Sequence, residues 1–543
     1  MDHHTKFTHI VVGAGSAGCV LAARIAENAN FNVLLLEAGP ECEGPNDPYG
    51  AQNIRRVPMK GQSEVFEDAI DWDVRVELPD DGAYMNVAQA KLVGGGSSIN
   101  GGTALRNTVE DCMEWVKLGN HAWGWDSVEP VYAALENDRV KGTKEPHPLV
   151  RTKVSEAGRI QKAFIAGAIE NGLPWTGDLN ATGVEGCGAS PVCRESNRRI
   201  SVANTFIDPI RNKENFHLWT NSRVERILFH GRRATGVVVA DHGEEIAASA
   251  EVILAAGAIF SPALLQRSGI GPTSVLKSLS IPVLQDLSVG ANLADHPCVP
   301  VVARPKPGAY IDTDFSLQMQ ARWSSVSREG AIDLQMVCFS YLYAASPSSS
   351  SQLQQKPASS SQPQRSLGGT TSGHVAGIGC NLNKPTSPGS LRIQSRDPHV
   401  QPLIAPNYLT TANDRAAIRE NVRFAYRIIL SGAMQSVLSP PLGLTQEIVA
   451  SDSLLDDWIR SQYSSTYHFT GTCRMATREK DGVVDQSGCV YGVQGLRVAD
   501  ASVIPTIPAA NTMWTTVMFA ERIGRCVRDR RPVNSYSEMT ARL

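Results

Sequence analysis

The chain has 543 residues, 42% hydrophobic and 19% charged, which excludes wholesale disorder and is ample for a large core. With 51 Lys and Arg against 54 Asp and Glu, its formal charge is −3, so no basic surface calls for nucleic acid. No uncharged apolar stretch reaches the roughly 20 residues a membrane span needs, so no membrane span is expected.

Residues 8–37 predict a βαβ unit. A strand covers His9–Val12, a helix Ala17–Asn28, and a second strand Asn32–Leu36, ending at Glu37. The intervening turn reads Gly13-Ala14-Gly15-Ser16-Ala17-Gly18, a G-x-G-x-x-G. In this setting Gly13 makes the tight bend, Gly15 admits a pyrophosphate close to the backbone, and Gly18 allows close helix packing. The helix N-terminus then faces the phosphates, and Glu37 can accept from a ribose hydroxyl. The pattern does not separate FAD from NAD.

A second run, Gly94-Gly95-Gly96-Ser97-Ser98-Ile99-Asn100-Gly101-Gly102, carries five glycines among nine residues. It lets backbone pass close to something flat or anionic, the plainer reading being a flexible linker. A helix is predicted over Val109–Leu118. Val224–Phe229, Thr235–Ala240 and Glu251–Ala255 read as consecutive strands, the first two turning at His230–Arg233. The stretch Ala256–Pro272 predicts a strand ending at Gly257. A helix then follows, capped by Ser261 with Pro262 at its first position and stopped by Gly269.

Strand-like Asp333–Tyr343 and His374–Leu382 flank Ser346–Ser366, where nine of 21 residues are Ser, five Gln and three Pro. Such a tract buries too little apolar surface to order itself and predicts a disordered surface loop. Residues 413–431 predict an amphipathic helix from Asn413, with Ile418, Val422, Ala425 and Ile429 on its apolar face. Another helix is predicted over Thr515–Val527. Between them lie Tyr467-His468-Phe469-Thr470-Gly471-Thr472-Cys473-Arg474-Met475, then Gly495-Leu496-Arg497-Val498-Ala499-Asp500-Ala501-Ser502, then Ile507-Pro508-Ala509-Ala510-Asn511-Thr512. A lone His such as His468 is more often structural than a base, but its company here changes the odds.

Eleven scattered cysteines, without C-x-x-C spacing, predict reduced thiols inside a cell and no metal site. No leader pattern precedes the first strand, so no secretion signal is expected. The sequon Asn180-Ala-Thr carries little meaning without secretion. The terminal Ala541-Arg542-Leu543 repeats the small–basic–Leu pattern of the address S-K-L and points to the peroxisome, with cytoplasm the alternative.

From about Thr8 to Val527 the ordered set of motifs resembles the glucose–methanol–choline (GMC) family of FAD-dependent oxidoreductases. The motifs are GAGSAG, GGGSSING, G-A-x-x-S-P-x-L-L-x-x-S-G-I-G-P, and H-x-x-G-T-C-R-M with L-R-V-A-D-A-S-V-I-P-T-I-P and N-T. The resemblance implies an α/β fold: a Rossmann-like FAD-binding domain with a second, α+β substrate domain on an antiparallel sheet. The FAD-binding domain is expected from residues 1–155, 201–297 and 453–530, the last bearing the active site. Residues 156–200 are expected to connect or join the substrate domain, which spans 298–452 and includes a disordered loop at 346–372. A polar tail covers 531–543.

The implied cofactor is FAD. Gly13, Ser16 and Ala17 would meet its pyrophosphate, with Gly15 and Gly18 completing the cofactor-binding turn, and Glu37, beside Ala38, would meet its adenosine ribose. Val93, Ser97, Asn100 and Gly101 would lie along the flavin, Val224 toward the adenine, and Asp500, Ala501 and Thr512 toward the pyrophosphate and pyrimidine end. His468 matches the family's active-site histidine, and Asn511 its second position, which is His or Asn among members. The implied reaction is oxidation of a small primary or secondary alcohol to a carbonyl, with O2 or another acceptor taking the electrons. His468 would be the general base, and the Asn511 amide would hold the substrate oxygen.

Ile99 stands where some members link FAD through a His, so noncovalent FAD is expected. Trp514 reads as core or as a residue that narrows the pocket. Three other classes stay open: a non-redox lyase on the same fold, a light-driven fatty acid decarboxylase using Cys380 with Arg392 or Arg396, and a flavin-binding protein without catalysis. Substrate-driven bleaching of the flavin separates the first from an oxidoreductase, and a need for light marks the second. The pairing of His468 with Asn511 argues against the third.

Overall fold

A computed structural model describes residues 6–41, 70–79, 82–138, 147–195, 198–240, 243–309, 316–344 and 373–533. The tract Ser346–Ser366 and the terminal Ala541-Arg542-Leu543 lie outside the described residues.

The βαβ unit is present as β1 (Phe7–Val12), α1 (Ser16–Ile25) and β2 (Val33–Leu36). Every residue of β2 is buried, as a parallel strand covered on both faces requires. α1 ends three residues earlier than predicted, and beyond its end the Asn28 side chain donates to the Arg528 carbonyl at 2.9 Å. β3 (Phe216–Trp219) adds in parallel to β2. β4 (Val224–His230), β5 (Arg233–Val239) and β6 (Glu245–Leu254) follow, with the first pair joined at the predicted turn. The sheet order is β3-β2-β1-β6-β5-β4, and the short strand Leu496–Val498 pairs in parallel with β6.

The next helix, α2 (Gly257–Arg267), starts before the predicted cap. Ser261 is inside it, and Asp500 caps it from afar, accepting from the Gly257 N–H at 2.8 Å and from Ser261 Oγ at 2.5 Å. Pro262 therefore sits within the helix and cannot donate to Ala258. Thr472 Oγ1 donates to that orphaned carbonyl at 2.6 Å instead.

The second sheet holds β7 (Pro297–Ala303), β8 (Met319–Trp323), β9 (Leu334–Ala344) and β10 (Gly373–Leu382). Its order is Ser464–Ser465, β7, β10, β9, β8, Gly186–Ala189, with every pair antiparallel. Side chains alternate between its faces. Met319, Ala321, Leu334, Met336 and Cys338 share a core with α3 (Ala412–Leu430). Ile418, Val422, Ala425 and Ile429 of α3 are all buried, as predicted, although Thr411 rather than Asn413 marks its start. The opposite face presents Gln320, Arg322, Gln335, Val337 and Asn381. The chain returns to the first sheet as α4 (Thr512–Asp529), which packs along α1 and fixes Glu521 against Arg24 at 2.8 Å. The fold is thus a Rossmann-like α/β layer joined to a substrate domain on an antiparallel sheet.

Candidate active site

The two Gly-rich loops lie against each other. A Cβ on Gly95 would fall 2.7 Å from the Gly15 Cα, and one on Gly18 would fall 1.8 Å from the Gly13 carbonyl oxygen. The Gly94 N–H donates to the Ala14 carbonyl at 2.7 Å. α1 opens on Gly15 with no side-chain cap and no acidic residue in its first turn. That leaves Ser16, Ala17 and Gly18 at an uncapped helix N-terminus, the chemistry an anionic pyrophosphate needs. Glu37 is buried beside it, accepting from the Ala14 N–H and the Gly39 N–H, each at 2.9 Å. Burial pushes its carboxyl up from the ordinary range. Ala38 follows at the mouth of β2. The Glu37 carbonyl accepts from Ser222 at 2.7 Å, which brings Val224 to the same end.

Val93 and Ser97 are buried under the second loop. Ser97 Oγ donates to the Gly94 carbonyl at 2.6 Å and accepts from the Val202 N–H at 3.1 Å. Asn100 reaches Met513 Sδ at 3.0 Å, so this loop meets the start of α4 at Thr512. Gly101 faces the second domain, where an added Cβ would stand 2.8 Å from Leu317 Cδ1. Asp500 and Ala501 lie at the head of α2 through the cap already described.

His468 follows Tyr467, whose φ of 66° is rare for an aromatic residue and marks a locally strained turn. The His468 N–H donates to Asp295 Oδ1 at 2.7 Å. Asp295 also accepts from Ser465 Oγ at 2.6 Å and Tyr408 OH at 2.5 Å, and burial pushes its carboxyl up to about 6. In the ring, His468 Nδ1 lies 2.9 Å from His296 Nδ1, and His296 Nε2 lies 3.0 Å from the Pro508 carbonyl.

These contacts fix the tautomers. A carbonyl only accepts, so His296 carries its proton on Nε2. Its Nδ1 is then an acceptor, and His468 must donate from Nδ1. The His468 lone pair is left on Nε2, 3.4 Å from Asn511 Nδ2. Asn511 is oriented in turn by Gln335, whose Nε2 donates to Asn511 Oδ1 at 3.2 Å and to Gln320 Oε1 at 2.7 Å. Burial lowers His468 to about 3 and holds His296 well below its ordinary value, so both rings are neutral at pH 7.

His296, Asp295 and Gln335, which contact His468 or Asn511, are positions that the sequence reading does not single out. The one local signal is Asp295-His296-Pro297, two ionisable residues opening a buried strand. Cys380 points to the other face, toward the Asn421 carbonyl on α3 at 3.8 Å, while Arg392 and Arg396 are exposed. The three do not form a cluster. Trp514 is fully buried and donates to Glu136 Oε1 at 3.1 Å, which makes it a core residue. Asn180 is buried with both amide atoms bonded, to the Arg106 N–H at 2.9 Å and the Ala104 carbonyl at 3.1 Å.

Residues 7–298 and 385–520 match, respectively, the N- and C-terminal parts of the family described as GMC oxidoreductase. The chain is 30% identical to the 5-(hydroxymethyl)furfural oxidase of Methylovorus sp., over 96% of its own length and 99% of that protein's. It is 31% identical to the mitochondrial choline dehydrogenase of Mus musculus, over 96% and 89% of the two lengths. The crystal structure of pyridoxine 4-oxidase from Mesorbium loti superposes with a TM-score of 0.82 at 27% identity, covering 96% of this chain and 99% of that one.

Proposed function

We propose, because the chain belongs to the GMC oxidoreductase family and carries a neutral, tautomer-defined histidine beside Asn511, that it oxidises a primary or secondary alcohol to a carbonyl. The observation that carries this reading is the contact chain from the Pro508 carbonyl through His296 and His468 to Asn511, from which the His468 Nε2 lone pair is inferred to face Asn511. FAD fits the uncapped α1 N-terminus and the two touching Gly-rich loops, and when bound it supplies the acceptor for the carbinol hydride. Gly13, Ser16 and Ala17 would hold its pyrophosphate, in a turn that Gly15 and Gly18 keep open and tightly packed. Glu37, Ala38 and Val224 would meet the adenosine end. Val93, Ser97, Asn100 and Gly101 would lie along the ring system, with Asp500, Ala501 and Thr512 closing the other side.

The chain's own work is positional and protic. His468 Nε2 takes the hydroxyl proton as the carbinol carbon is oxidised. Asn511 Nδ2 holds the substrate oxygen and, being an amide, does not compete for that proton. The donated bond from His468 Nδ1 to His296 steadies the positive charge that develops on the ring. Ile99 offers no nucleophile for a covalent link, so the cofactor is held noncovalently.

Two measurements test this. Acid precipitation of the purified holoenzyme should release FAD into the supernatant; colour retained in the pellet would refute noncovalent binding. His468→Ala should bind FAD normally yet slow anaerobic bleaching by a substrate alcohol by about 10²–10⁴-fold. Bleaching at the parent rate would remove His468 from the mechanism, and turnover without any bleaching would point to lyase chemistry.

A further inference from the structure

Arg322 on β8 is only 3% exposed, and its Nε and Nη1 have no hydrogen-bond partner. Burial lowers its guanidinium to about 10. Asp111, Asp178, Glu110 and Glu185 stand within electrostatic reach. Three of them are engaged elsewhere: Asp111 with Lys384 at 2.8 Å, Asp178 with Arg151 at 2.9 Å, and Glu185 with Ser324. Glu110 has a buried Oε2 without a partner of its own. A buried guanidinium normally has a bonded anion, because leaving it unpaired forfeits its hydration without replacement.

Its place in the fold says where such an anion would come from. Arg322 is directly across from Gln335 in the β8–β9 register, and Gln335 is directly across from Asn381 in β10. Opposed residues of antiparallel strands share one face, with Cβ atoms about 5 Å apart. Gln335 is the side chain that orients Asn511. Arg322 is therefore one side chain removed from the Asn511–His468 pair, on the face of the second sheet that closes over it. Two strands over on the same face, Asn381 Oδ1 is also buried without a partner, as are both amide atoms of Asn383 just beyond the end of β10.

We propose that Arg322 is the substrate-recognition residue of the His468–Asn511 site, binding a carboxylate carried by the alcohol while His468 meets its hydroxyl. The planar guanidinium fork matches a carboxylate in two parallel hydrogen bonds. The same cation repels a quaternary ammonium alcohol, which separates this chain from relatives named for choline. The assignment rests on the reading of His468 and Asn511 as the site of alcohol oxidation.

The test uses the holoenzyme with benzoate as a non-reacting probe. The alcohols are para-(hydroxymethyl)benzoate, which carries a carboxylate, neutral para-methylbenzyl alcohol, and choline. Benzoate should perturb the flavin absorbance of the parent enzyme with saturable binding and compete with para-(hydroxymethyl)benzoate. Arg322→Met should weaken benzoate binding and raise the Michaelis constant for para-(hydroxymethyl)benzoate, each about tenfold or more, with para-methylbenzyl alcohol changed less than about threefold. Arg322→Lys, which keeps the charge and loses the fork, should fall between. A parent enzyme that prefers choline or para-methylbenzyl alcohol, or an Arg322→Met that affects charged and neutral alcohols equally, would overturn the assignment. So would Glu110→Gln lowering Tm as much as Arg322→Met while benzoate binding stays intact in both variants, since Arg322 would then be a structural partner of Glu110. If no alcohol bleaches the flavin, the oxidation reading fails, yet the benzoate titration still reads Arg322 by itself.

Discussion

The basic nitrogen of His468 is chosen by a residue 172 positions away in the chain. His296 presents an acceptor to His468 only because the Pro508 carbonyl has claimed its other nitrogen. Replacing it with Leu removes that acceptor and frees His468 to rotate or change tautomer. His296→Leu should slow anaerobic bleaching by about 10–10³-fold, with a smaller change in the Michaelis constant. His296→Asn places an amide oxygen where Nδ1 stood and should recover much of the loss; equal defects in the two variants would reduce His296 to a packing role. This relay also marks the limit of what the sequence carries. His468 and Asn511 lie in recognisable local strings. His296 and Gln335 gain their roles only from side-chain contacts made when the second sheet closes on the first domain, and no local spacing encodes that contact.

At the level of elements, legibility followed the range of the interaction that sets each boundary. The apolar stripe of α3 was readable because its period is local, and its cap, Thr411, lies within two residues of the predicted start. The start of α2 was not, because its cap is Asp500, 243 residues beyond Gly257 in sequence. Ser261-Pro262 looked like a helix start, whereas Ser261 bonds Asp500 and Thr472 compensates for the N–H that Pro262 lacks. Asp500 consequently has a structural duty beside any contact with a cofactor. Asp500→Ala would leave the Gly257 and Ser502 N–H groups and the Ser261 hydroxyl without their shared acceptor. We expect a loss of about 3 kcal/mol in urea unfolding of the apoprotein, from breaking hydrogen bonds to a buried charged group. Asp500→Asn, which keeps one acceptor, should lose less. Apoprotein stability unchanged in Asp500→Ala would show that the α2 cap is dispensable.

The whole molecule holds several rings neutral that would ionise in the unfolded chain. Burial lowers His147 to about 4 and His468 to about 3, while His9 is lowered to about 4 by burial and by the charges of Arg497 and Arg530. Asp295, raised to about 6, acts in the opposite sense, so total stability alone does not isolate the histidines. His147 does allow isolation, because it lies outside the proposed site. It is fully buried, with Nδ1 2.8 Å from Thr205 Oγ1 and its ring 5.2 Å from Trp514. Between its unfolded value of about 6.5 and its folded value of about 4, the unfolded state binds the extra proton, so stability falls as pH falls. Over that window His147 should remove about 3 kcal/mol, at about 1.36 kcal/mol per pH unit, with no further loss below it. His147→Asn keeps a polar atom toward Thr205 and cannot take up the proton. Whatever the variant loses at pH 8 from imperfect packing, its stability should be less dependent on acid. The gap between the two proteins, measured by urea unfolding from pH 8 to pH 4, should therefore shift in favour of the variant as the solution is acidified. Every other titrating group is common to both and cancels in the difference, so parallel curves would mean that His147 takes up its proton in the folded protein as readily as in the unfolded chain.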